Sequence, residues 1–389
     1  MKNRNSSDRI ALLMELLSIS GKSLHEKKTA EYIIKKAIKY GVDKKNINID
    51  EANLQSPHGG EIGNLYIHLP GTYDAKEIMF SAHMDTVEIV EGAVPKIVDE
   101  YICSQDMVGL GADDRTGLAV LLNTIREIYH NQLEHSPITF MFSVQEEIGL
   151  LGTKYMSKKL SGSPSFCYNF DGQSPNTIIT NGIYSNHFDI TIYGRSAHSG
   201  VCPEKGISAA EIFAKALAKI IAEGYFGEVI KNGKKIGTSN IGIVTGGDGR
   251  NIVMGDMRIK GEARSFTKAS LNEITKRYKD SFEKEAELLF NADGARGNVE
   301  FKLCNTFNGF RISKKNEYVE RVIKSLVSLG LEPVYSKRLA GLDSNNLNCH
   351  EIPSITLGAG TRFPHTTNEK CYIKDFDNAC ELALMLIKE

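Results

Sequence analysis

Two hydrophobic patterns alternate along the first part of the chain. Short, nearly continuous apolar runs such as EIMFSAH, ITFMFSV and PSFCYNF are typical of strands that are covered on both faces. Between such runs, segments like TGLAVLLNTIREIYH place apolar residues at the period of an amphipathic helix. Strands separated by helices predict an α/β domain with a doubly wound mixed sheet.

The pattern changes near residue 185. A half-buried strand, HFDITIYG, is followed by a helix, two strands, a second helix and a last strand, NVEFKLCN. This βαββαβ order predicts a ferredoxin-like domain. Because the α/β pattern then returns, we expect one discontinuous domain, formed by residues 1–184 and 306–389, with a second domain, 185–305, inserted into it.

Composition and charge narrow the class of protein. The chain has 389 residues, which favours two domains, and its formal net charge of -1 provides no basic surplus for nucleic acid. No stretch approaches the roughly 20 apolar residues that a membrane span needs, and the first apolar segment, interrupted by Glu15, does not suit a signal peptide. The seven cysteines form no CxxC pair, so we expect reduced thiols and a cytoplasmic location.

Acidic and histidine side chains follow the predicted strands. The candidates at strand ends or before a helix are His83, Asp85, Asp113, Asp114, Glu146, Glu147, Asp171 and His365. In an open α/β sheet, ligands bind outside the carboxyl ends of the strands. A set of histidines and carboxylates without cysteine suits zinc, cobalt or manganese rather than a structural thiolate site.

These side chains can be divided between two metal ions. With Asp113 as the bridging carboxylate, His83 and Asp171 form one set of terminal ligands, and Glu147 and His365 form the other. Two ions held in this way would share a hydroxide and polarise a scissile carbonyl.

Two further acids have places beside these ligands. Glu146 precedes the ligand Glu147, and in an extended backbone its side chain points elsewhere, so it can act as the general base. Asp85 lies two residues after His83 and can accept the second N–H of the imidazole.

Each of these features also has an ordinary structural interpretation. Asp113 and Asp114 could cap the helix that follows, the glutamate pair could be a solvated face, and Asp171 with Gly172 could form a turn. All of these interpretations would have to hold together for the site to disappear. Other hydrolase and nucleotide-binding classes are disfavoured, since the chain has neither a GxSxG motif nor a Walker A motif.

At these residues the chain resembles a known family of enzymes. The motifs that carry the resemblance are SAHMDTV, GLGADDRTG, QEEIGLLG, NFDG, GRSAHSG, NIVMGDMRIKGEARS, GLDSNNLN and PHTTNE. They are similar, in order and over nearly the whole chain, to those of the dinuclear zinc metallopeptidase family of peptidase T, aminoacylase and carboxypeptidase G. The likeness is greatest to peptidase T-like proteins.

The resemblance implies a cofactor of two divalent ions, zinc in the first place, with cobalt or manganese as alternatives. It selects Asp113 rather than Asp114 as the bridging ligand and predicts a cis peptide bond between the two. It also separates Glu146, as the base, from Glu147, as a ligand.

The resemblance further implies that the inserted domain is a lid and a dimerisation surface. In such a homodimer, His198 reaches the substrate's carbonyl oxyanion in the neighbouring subunit. Asn251 and Arg264 match lid positions that hold the substrate's carboxylate, and Gly341 and Asp343 match a segment that lines the site.

The activity that we expect is hydrolysis of short peptides by a cytoplasmic, dimeric aminopeptidase, with no nucleic-acid or membrane partner. The interval between His83 and Asp113 is shorter than in peptidase T. Strict tripeptidase specificity therefore does not follow, because this interval can shape the pocket for the substrate's N-terminus. An N-acyl amino-acid deacylase or desuccinylase is the alternative enzyme, and a non-catalytic peptide-binding protein is the alternative outside enzymes.

Overall fold

The computed structural model describes residues 2–337 and 339–388, with the backbone alone for residues 2–5. It divides into two compact units. The α/β unit comprises Met1–Asn181 and Phe310–Glu389, and the inserted unit comprises Gly182–Gly309. No helix within the described ranges is both long and apolar enough to cross a membrane.

The α/β unit contains eight helices and twelve strands within its described residues. The helices are α1 Lys2–Leu17, α2 Lys27–Tyr40, α3 Ala52–Gln55, α4 Ala112–Asn131, α5 Leu151–Lys154, α8 Glu317–Ser328, α9 Asp343–Cys349 and α10 Ile373–Leu386. The strands are β1 Ile47–Ile49, β2 Leu65–Leu69, β3 Ile78–His83, β4 Pro95–Val98, β5 Tyr101–Ser104, β6 Ile138–Ser143, β7 Phe166–Gly172, β8 Thr177–Ile179, β14 Val334–Tyr335, β15 Ser354–Gly358, β16 Thr361–Arg362 and β17 Lys370–Tyr372.

Eight of these strands form one mixed sheet in the order β1-β2-β6-β3-β7-β15-β8-β14. The central strands β6, β3, β7 and β15 run parallel to one another, while β2 joins β6 in the antiparallel direction. Both faces are covered, because Phe80 packs into the large core and its neighbour Met79 packs into a second cluster on the other face. The predicted doubly wound mixed sheet is confirmed.

Helix α4 lies against the centre of this sheet and begins at the candidate site. It packs on β3 and β7 and is almost wholly buried. At Gly117 the approach is so close that an added Cβ would lie 2.0 Å from the carbonyl oxygen of Phe170. A glycine is therefore required there for the helix to reach the strand that carries Asp171.

A small antiparallel sheet, β16-β17-β5-β4, joins the interval between His83 and Asp113 to the last part of the chain. Strand β17 pairs with β5, and the segment between β16 and β17 carries His365. The short interval is thus tied to the loop that presents the last predicted ligand.

The inserted unit is a five-stranded antiparallel sheet with two helices. Its elements are β9 Tyr184–Tyr193, α6 Ala209–Ala222, β10 Gly227–Lys231, β11 Lys234–Gly246, β12 Asp256–Ser265, α7 Lys268–Leu288 and β13 Asn298–Phe307. The strand order β10-β11-β12-β9-β13 is that of a ferredoxin-like sheet extended by one edge strand. The sequence pattern did not predict β10, since its residues are mostly exposed and carry no clear alternation.

Candidate metal centre

The five predicted ligands come together in the α/β unit. Among the described residues, ligand atoms lie within 4.8 Å of one another in three groups. The first group is His83, Asp113 and Asp171, the second is His83, Glu146 and Glu147, and the third is Asp113, Glu147 and His365. Asp113 is common to the first and third groups, which is what a bridging carboxylate requires.

The two oxygen atoms of Asp113 face different histidines. Its Oδ1 lies 3.4 Å from Nε2 of His83, and its Oδ2 lies 3.6 Å from Nε2 of His365. His83 Nε2 is also 3.9 Å from Oδ1 of Asp171, and His365 Nε2 is 2.9 Å from Oε1 of Glu147. The terminal ligands therefore separate into the two pairs that the sequence predicted, one on each side of Asp113.

Neighbouring parallel strands bring these side chains to one edge of the sheet. Strand β3 ends at His83, Asp171 lies near the end of β7, and Glu146 follows β6 by three residues. These three strands are adjacent in the order β6-β3-β7, so their carboxyl ends lie side by side. His365 comes from the loop after β16, where the backbone takes a left-handed conformation, with φ 61°.

The adjacent acids Asp113 and Asp114 have different surroundings. Asp114 is buried, and its carboxylate accepts hydrogen bonds from the backbone N–H groups of His83, at 3.3 Å, and Gly117, at 3.0 Å. Its oxygens thus hold the start of α4 against the end of β3. Asp113 instead turns its carboxylate to the two histidines, and the cis peptide bond predicted between Asp113 and Asp114 is confirmed.

Glu146 and Glu147 also differ in their contacts. Both belong to a group with His83, but Glu147 also belongs to the group with Asp113 and His365, whereas Glu146 is in neither group that contains Asp113. Glu146 is buried, with 8% of its surface exposed. This arrangement favours Glu147 as the ligand and leaves the carboxylate of Glu146 beside the centre for proton transfer.

Asp85 holds both glutamates in place. Its carboxylate accepts the backbone N–H of Glu146 at 3.0 Å, the backbone N–H of Glu147 at 3.1 Å and the hydroxyl of Ser23 at 2.6 Å. Nδ1 of His83 is 3.4 Å from this carboxylate but 3.0 Å from the backbone oxygen of Asp85. The contact expected from the spacing is therefore shared between side chain and backbone, and the link from Asp85 to the glutamates was not predicted.

The centre carries an excess of buried negative charge. Burial, followed by the charge of Asp171, raises the pKa of Glu146 well above its usual value. Hydrogen bonds to Asp113 and Glu147 raise the pKa of His365 to about 10. Carboxylates this close together favour any bound cation, whether a proton or a metal ion.

The available donor atoms fit divalent metal ions. Oδ2 of Asp171 is buried and has no hydrogen-bond partner among the described residues. A buried carboxylate oxygen without a partner is costly unless a cation or water binds it. Two imidazole nitrogens and three carboxylates, without a thiolate, are ligands that suit zinc, cobalt or manganese.

Two buried charged residues support the centre without being among the predicted ligands. Arg115 is 1% exposed, and its guanidinium donates to the backbone oxygens of Met84 and Ile19. Glu369 is 2% exposed and accepts backbone N–H groups from the segment before Asp113. Both lie inside motifs of the resemblance, but hydrogen bonds to the backbone leave no signal in a sequence.

The segment with Gly341 and Asp343 lies at the start of α9. Asp343 is 1% exposed, and its carboxylate accepts hydrogen bonds from the hydroxyls of Ser143 and Thr153. These contacts hold the end of β6, three residues before Glu146. Substrate binding by Gly341 and Asp343 stays a prediction.

The remaining predicted residues belong to the inserted unit, where they lie at two separate places. His198 forms a β-bridge with Ile252, and the N–H of Ser199 donates to the backbone oxygen of Asn251. Arg264 lies near the other end of β12, pairs with Ser185 and contacts Glu262 at 3.0 Å.

The length of β12 separates these two places. Asn251 precedes Asp256, the first residue of the strand, and Arg264 lies eight residues beyond Asp256, so the strand alone spans roughly 26 Å. The inserted unit therefore brings His198 and Asn251 together but does not bring Arg264 to them.

A cavity of about 490 Å³ adjoins the loop of His365 within the α/β unit. Its lining includes Val98, Asp99 and Tyr101 from the β4–β5 hairpin and Phe363 and Lys370 from the other side. The interval between His83 and Asp113 therefore contributes one wall of a cavity that adjoins the loop of His365.

Comparison with known proteins agrees with this arrangement. The model of peptidase family M20/M25/M40 matches residues 79–389, which include all of the candidate metal ligands. The uncharacterized protein YqjE of Bacillus subtilis (strain 168) is 31% identical over 377 residues, covering 97% of this chain and 96% of that protein.

Two solved structures are similar over nearly their whole length. The aminopeptidase PepT of Bacillus cereus ATCC 10987 is 30% identical with a TM-score of 0.85, and 98% of each chain is covered. A tripeptidase of Staphylococcus aureus subsp. aureus Mu50 is 29% identical with a TM-score of 0.88, again with 98% of each chain covered. The chain therefore belongs to peptidase family M20/M25/M40 and is a metallopeptidase.

Proposed function

We propose that this protein is an aminopeptidase that hydrolyses short peptides with two divalent metal ions. The observation that carries the proposal is the position of Asp113, whose two carboxylate oxygens each face a different histidine. The similar aminopeptidase PepT and the similar tripeptidase support peptides as the substrate class.

In this proposal His83 and Asp171 would hold one ion, Glu147 and His365 would hold the other, and Asp113 would contribute to both. When bound, the ions supply a Lewis acid for the scissile carbonyl and lower the pKa of a water molecule. Zinc is the metal that we propose first, with cobalt and manganese as alternatives that the same nitrogen and oxygen ligands would accept.

The chain's own residues move the proton. Glu146 accepts a proton from the attacking water and then delivers it to the nitrogen of the leaving amine. Its backbone N–H donates to Asp85, which fixes the backbone of Glu146, and burial beside His83 restricts its side chain. Position matters because general base catalysis needs hydrogen-bond distance between base and water.

The inserted unit supplies contacts to the rest of the substrate and acts as a lid. Arg264 would hold the peptide's carboxylate, since a guanidinium binds carboxylates with two parallel hydrogen bonds. Asn251 would assist in holding the substrate, and His198 would donate a hydrogen bond to the carbonyl oxygen as its negative charge develops.

A homodimer reconciles these roles with the geometry of the inserted unit. His198 and Asn251 lie beyond one end of β12 and Arg264 near the other, roughly 26 Å apart along the strand. A short peptide cannot touch both places in one copy of this unit. We propose that each active site uses Arg264 of its own chain and His198 with Asn251 of the partner.

The edge of β11 is the dimerisation surface that we propose. Its pairing with β10 ends at Ser239, so residues 240–246 have no strand on that side among the described residues. This stretch, NIGIVTG, carries no charge and exposes Ile243 and Val244. The opposite edge strand, β13, instead carries Glu300 and Lys302, as is usual for an edge that avoids pairing.

A cytoplasmic location is part of the same proposal. All seven cysteines are free thiols in the structure, and three of them are buried. Unpaired cysteines are ordinary in a reducing compartment.

The test is a panel of substrates offered to the purified enzyme loaded with zinc, cobalt or manganese. The panel contains dipeptides, tripeptides and tetrapeptides with free termini, and the same peptides with an acetylated N-terminus or an amidated C-terminus. We expect release of the N-terminal residue from short free peptides and a large rise in KM when the C-terminal carboxylate is amidated.

N-acetyl and N-succinyl amino acids complete the panel as substrates of the alternative enzyme. If these are cleaved at a higher kcat/KM than every peptide, the protein is a deacylase or desuccinylase acting through the same centre. Binding of peptides without turnover of any substrate, in all three metals, would mean a non-catalytic peptide-binding protein.

A further inference from the structure

We propose that Glu369 is a positioning residue that holds the bridging carboxylate of Asp113 in its metal-binding geometry. The proposal rests on the proposed two-metal function and adds to it a residue outside the ligand set. None of the three ligand groups formed by described residues contains Glu369. Its carboxylate contacts the backbone of the ligand's own segment instead.

The contact is made by both oxygens of one buried side chain. Oε2 accepts the N–H groups of Leu110, at 2.9 Å, and Gly111, at 2.7 Å, and Oε1 accepts the N–H of Asp113 at 3.0 Å. Glu369 is 2% exposed, so water does not compete for these donors. Hydrogen bonds to a charged acceptor are stronger than those between neutral groups.

These N–H groups need an acceptor from elsewhere in the chain. They lie in the segment Leu110–Asp113, which is not regular helix, because Asp113 and Asp114 have non-helical dihedral angles. Buried backbone N–H groups outside a helix or sheet must find another acceptor, and the neighbouring Gly111, at φ 79°, has no side chain to provide one. Glu369 therefore provides this acceptor from a distant part of the sequence.

The same segment carries a ligand on the other side of the centre. Glu369 follows His365 by four residues, and its own N–H donates to the backbone oxygen of Thr366 at 3.1 Å, which closes the turn between them. Through Glu369, the loop of His365 is fastened to the loop of Asp113. Glu369 thereby helps to set the distance between two candidate ligands of one ion, together with Thr361, whose hydroxyl donates to the backbone oxygen of Ala112 at 3.2 Å.

A residue that only accepts buried N–H groups would affect stability alone, whereas a positioning residue must also affect metal binding. The test compares Glu369→Gln with the matched control Glu77→Gln. Glu77 accepts the N–H of Ser163 at 2.9 Å and the hydroxyl of Thr139, but it precedes β3, at the end of the strand opposite His83. Both variants exchange one buried or half-buried carboxylate for an amide of the same size.

The metal-free wild type and both variants are titrated with cobalt(II), and binding is followed by calorimetry and by the visible absorption of the bound cobalt. We expect two equivalents in the wild type and in Glu77→Gln. For Glu369→Gln we expect affinity for at least one equivalent to fall about 10- to 100-fold, with a changed cobalt spectrum, as for other groups that orient metal ligands. Circular dichroism before titration verifies that each variant is folded.

Glu369→Asp provides a second variant if the amide prevents folding. It keeps the charge but is shorter by one methylene, so it cannot reach donors on both sides, and we expect weakened cobalt binding again. Wild-type affinity and an unchanged spectrum in a folded Glu369 variant would overturn the positioning role and leave Glu369 with a structural role only. Failure of the wild type itself to bind cobalt would instead contradict the proposed two-metal function.

Discussion

At the scale of single residues, neighbouring acids with the same chemistry have separate tasks. The carboxylate of Asp114 accepts the backbone N–H groups of His83 and Gly117, whereas the carboxylate oxygens of Asp113 face two histidines. The distinction depends on which donors lie nearby in space. Substitution by asparagine, which keeps size and removes charge, can separate the two tasks.

We expect Asp113→Asn to lose bound metal, because a neutral amide cannot bridge two cations. Asp114→Asn should keep its metal and show a lower melting temperature, since an amide replaces a carboxylate that anchors α4. Metal content after gel filtration and thermal unfolding measure the two effects. Equal loss of metal in both variants would contradict the choice of Asp113 as the bridge.

Glu146 is the residue on which the proposed proton transfer depends. We expect Glu146→Gln to lower kcat by about 100-fold to 10,000-fold, the usual range for a general acid–base group. Metal content should stay near the wild-type level, because Glu146, although close to His83 and Glu147, belongs to neither of the two groups that contain Asp113. Near-normal turnover in the metal-loaded variant would rule out this role.

At the scale of elements, two features matter. The candidate metal centre depends on where the central strands end, and the proposed dimer interface depends on a strand edge without a neighbour. The ends of β6, β3 and β7 lie next to one another, and each carries or precedes a candidate metal ligand or the proposed base. In the inserted unit, β11 offers an uncharged edge over residues 240–246, with Val244 44% exposed.

We expect Val244→Lys to weaken the dimer, because paired edges would place two lysine charges close together. The matched control is Leu303→Lys on β13, which adds the same charge to a side chain that is 51% exposed. Light scattering coupled to gel filtration should find monomers in the first variant and dimers in the second. Dimers in both would show that the interface lies on another surface.

At the scale of the whole molecule, the residues of one inserted unit that we propose to bind substrate lie too far apart to contact one short peptide together. Arg264 and His198 lie near opposite ends of β12. The proposed solution is an active site that combines two chains, which is compatible with the two-fold symmetry of most homodimers. A shared active site predicts that two impaired variants restore activity when they are mixed, which an active site formed by a single chain would not allow.

We expect mixtures of His198→Ala and Glu146→Gln to be more active than either variant alone. In a mixed dimer, one active site has an intact Glu146 from its own chain and an intact His198 from the partner. Random exchange of equal amounts should restore about a quarter of wild-type activity. The mixture is assayed after dissociation and reassociation, and activity equal to the mean of the two variants would exclude a shared site.

Much of the fold and of the candidate site of this protein could be predicted from its sequence alone. The alternation of apolar runs and amphipathic segments predicted the α/β sheet and the ferredoxin-like unit. Burial on one or two faces of an element requires apolar residues at regular intervals in the sequence. The five candidate ligands could be selected from the sequence, since charged residues at the ends of apolar strands are costly unless they have a partner. The short, exposed strand β10 has no such pattern of apolar residues and was not predicted.

Only the tertiary structure decided which groups meet across long stretches of sequence. Glu369 accepts N–H groups from residues more than 250 positions away, Asp85 holds the backbone of Glu146 and Glu147, and Arg264 is separated from Asn251 by the length of a strand. Backbone donors are the same at every position except proline, so the sequence carries no sign of which donor a side chain will find. The residue types at the strand ends indicated the chemistry of the candidate centre. The contacts that support the centre depend on which distant segments the folded chain brings together.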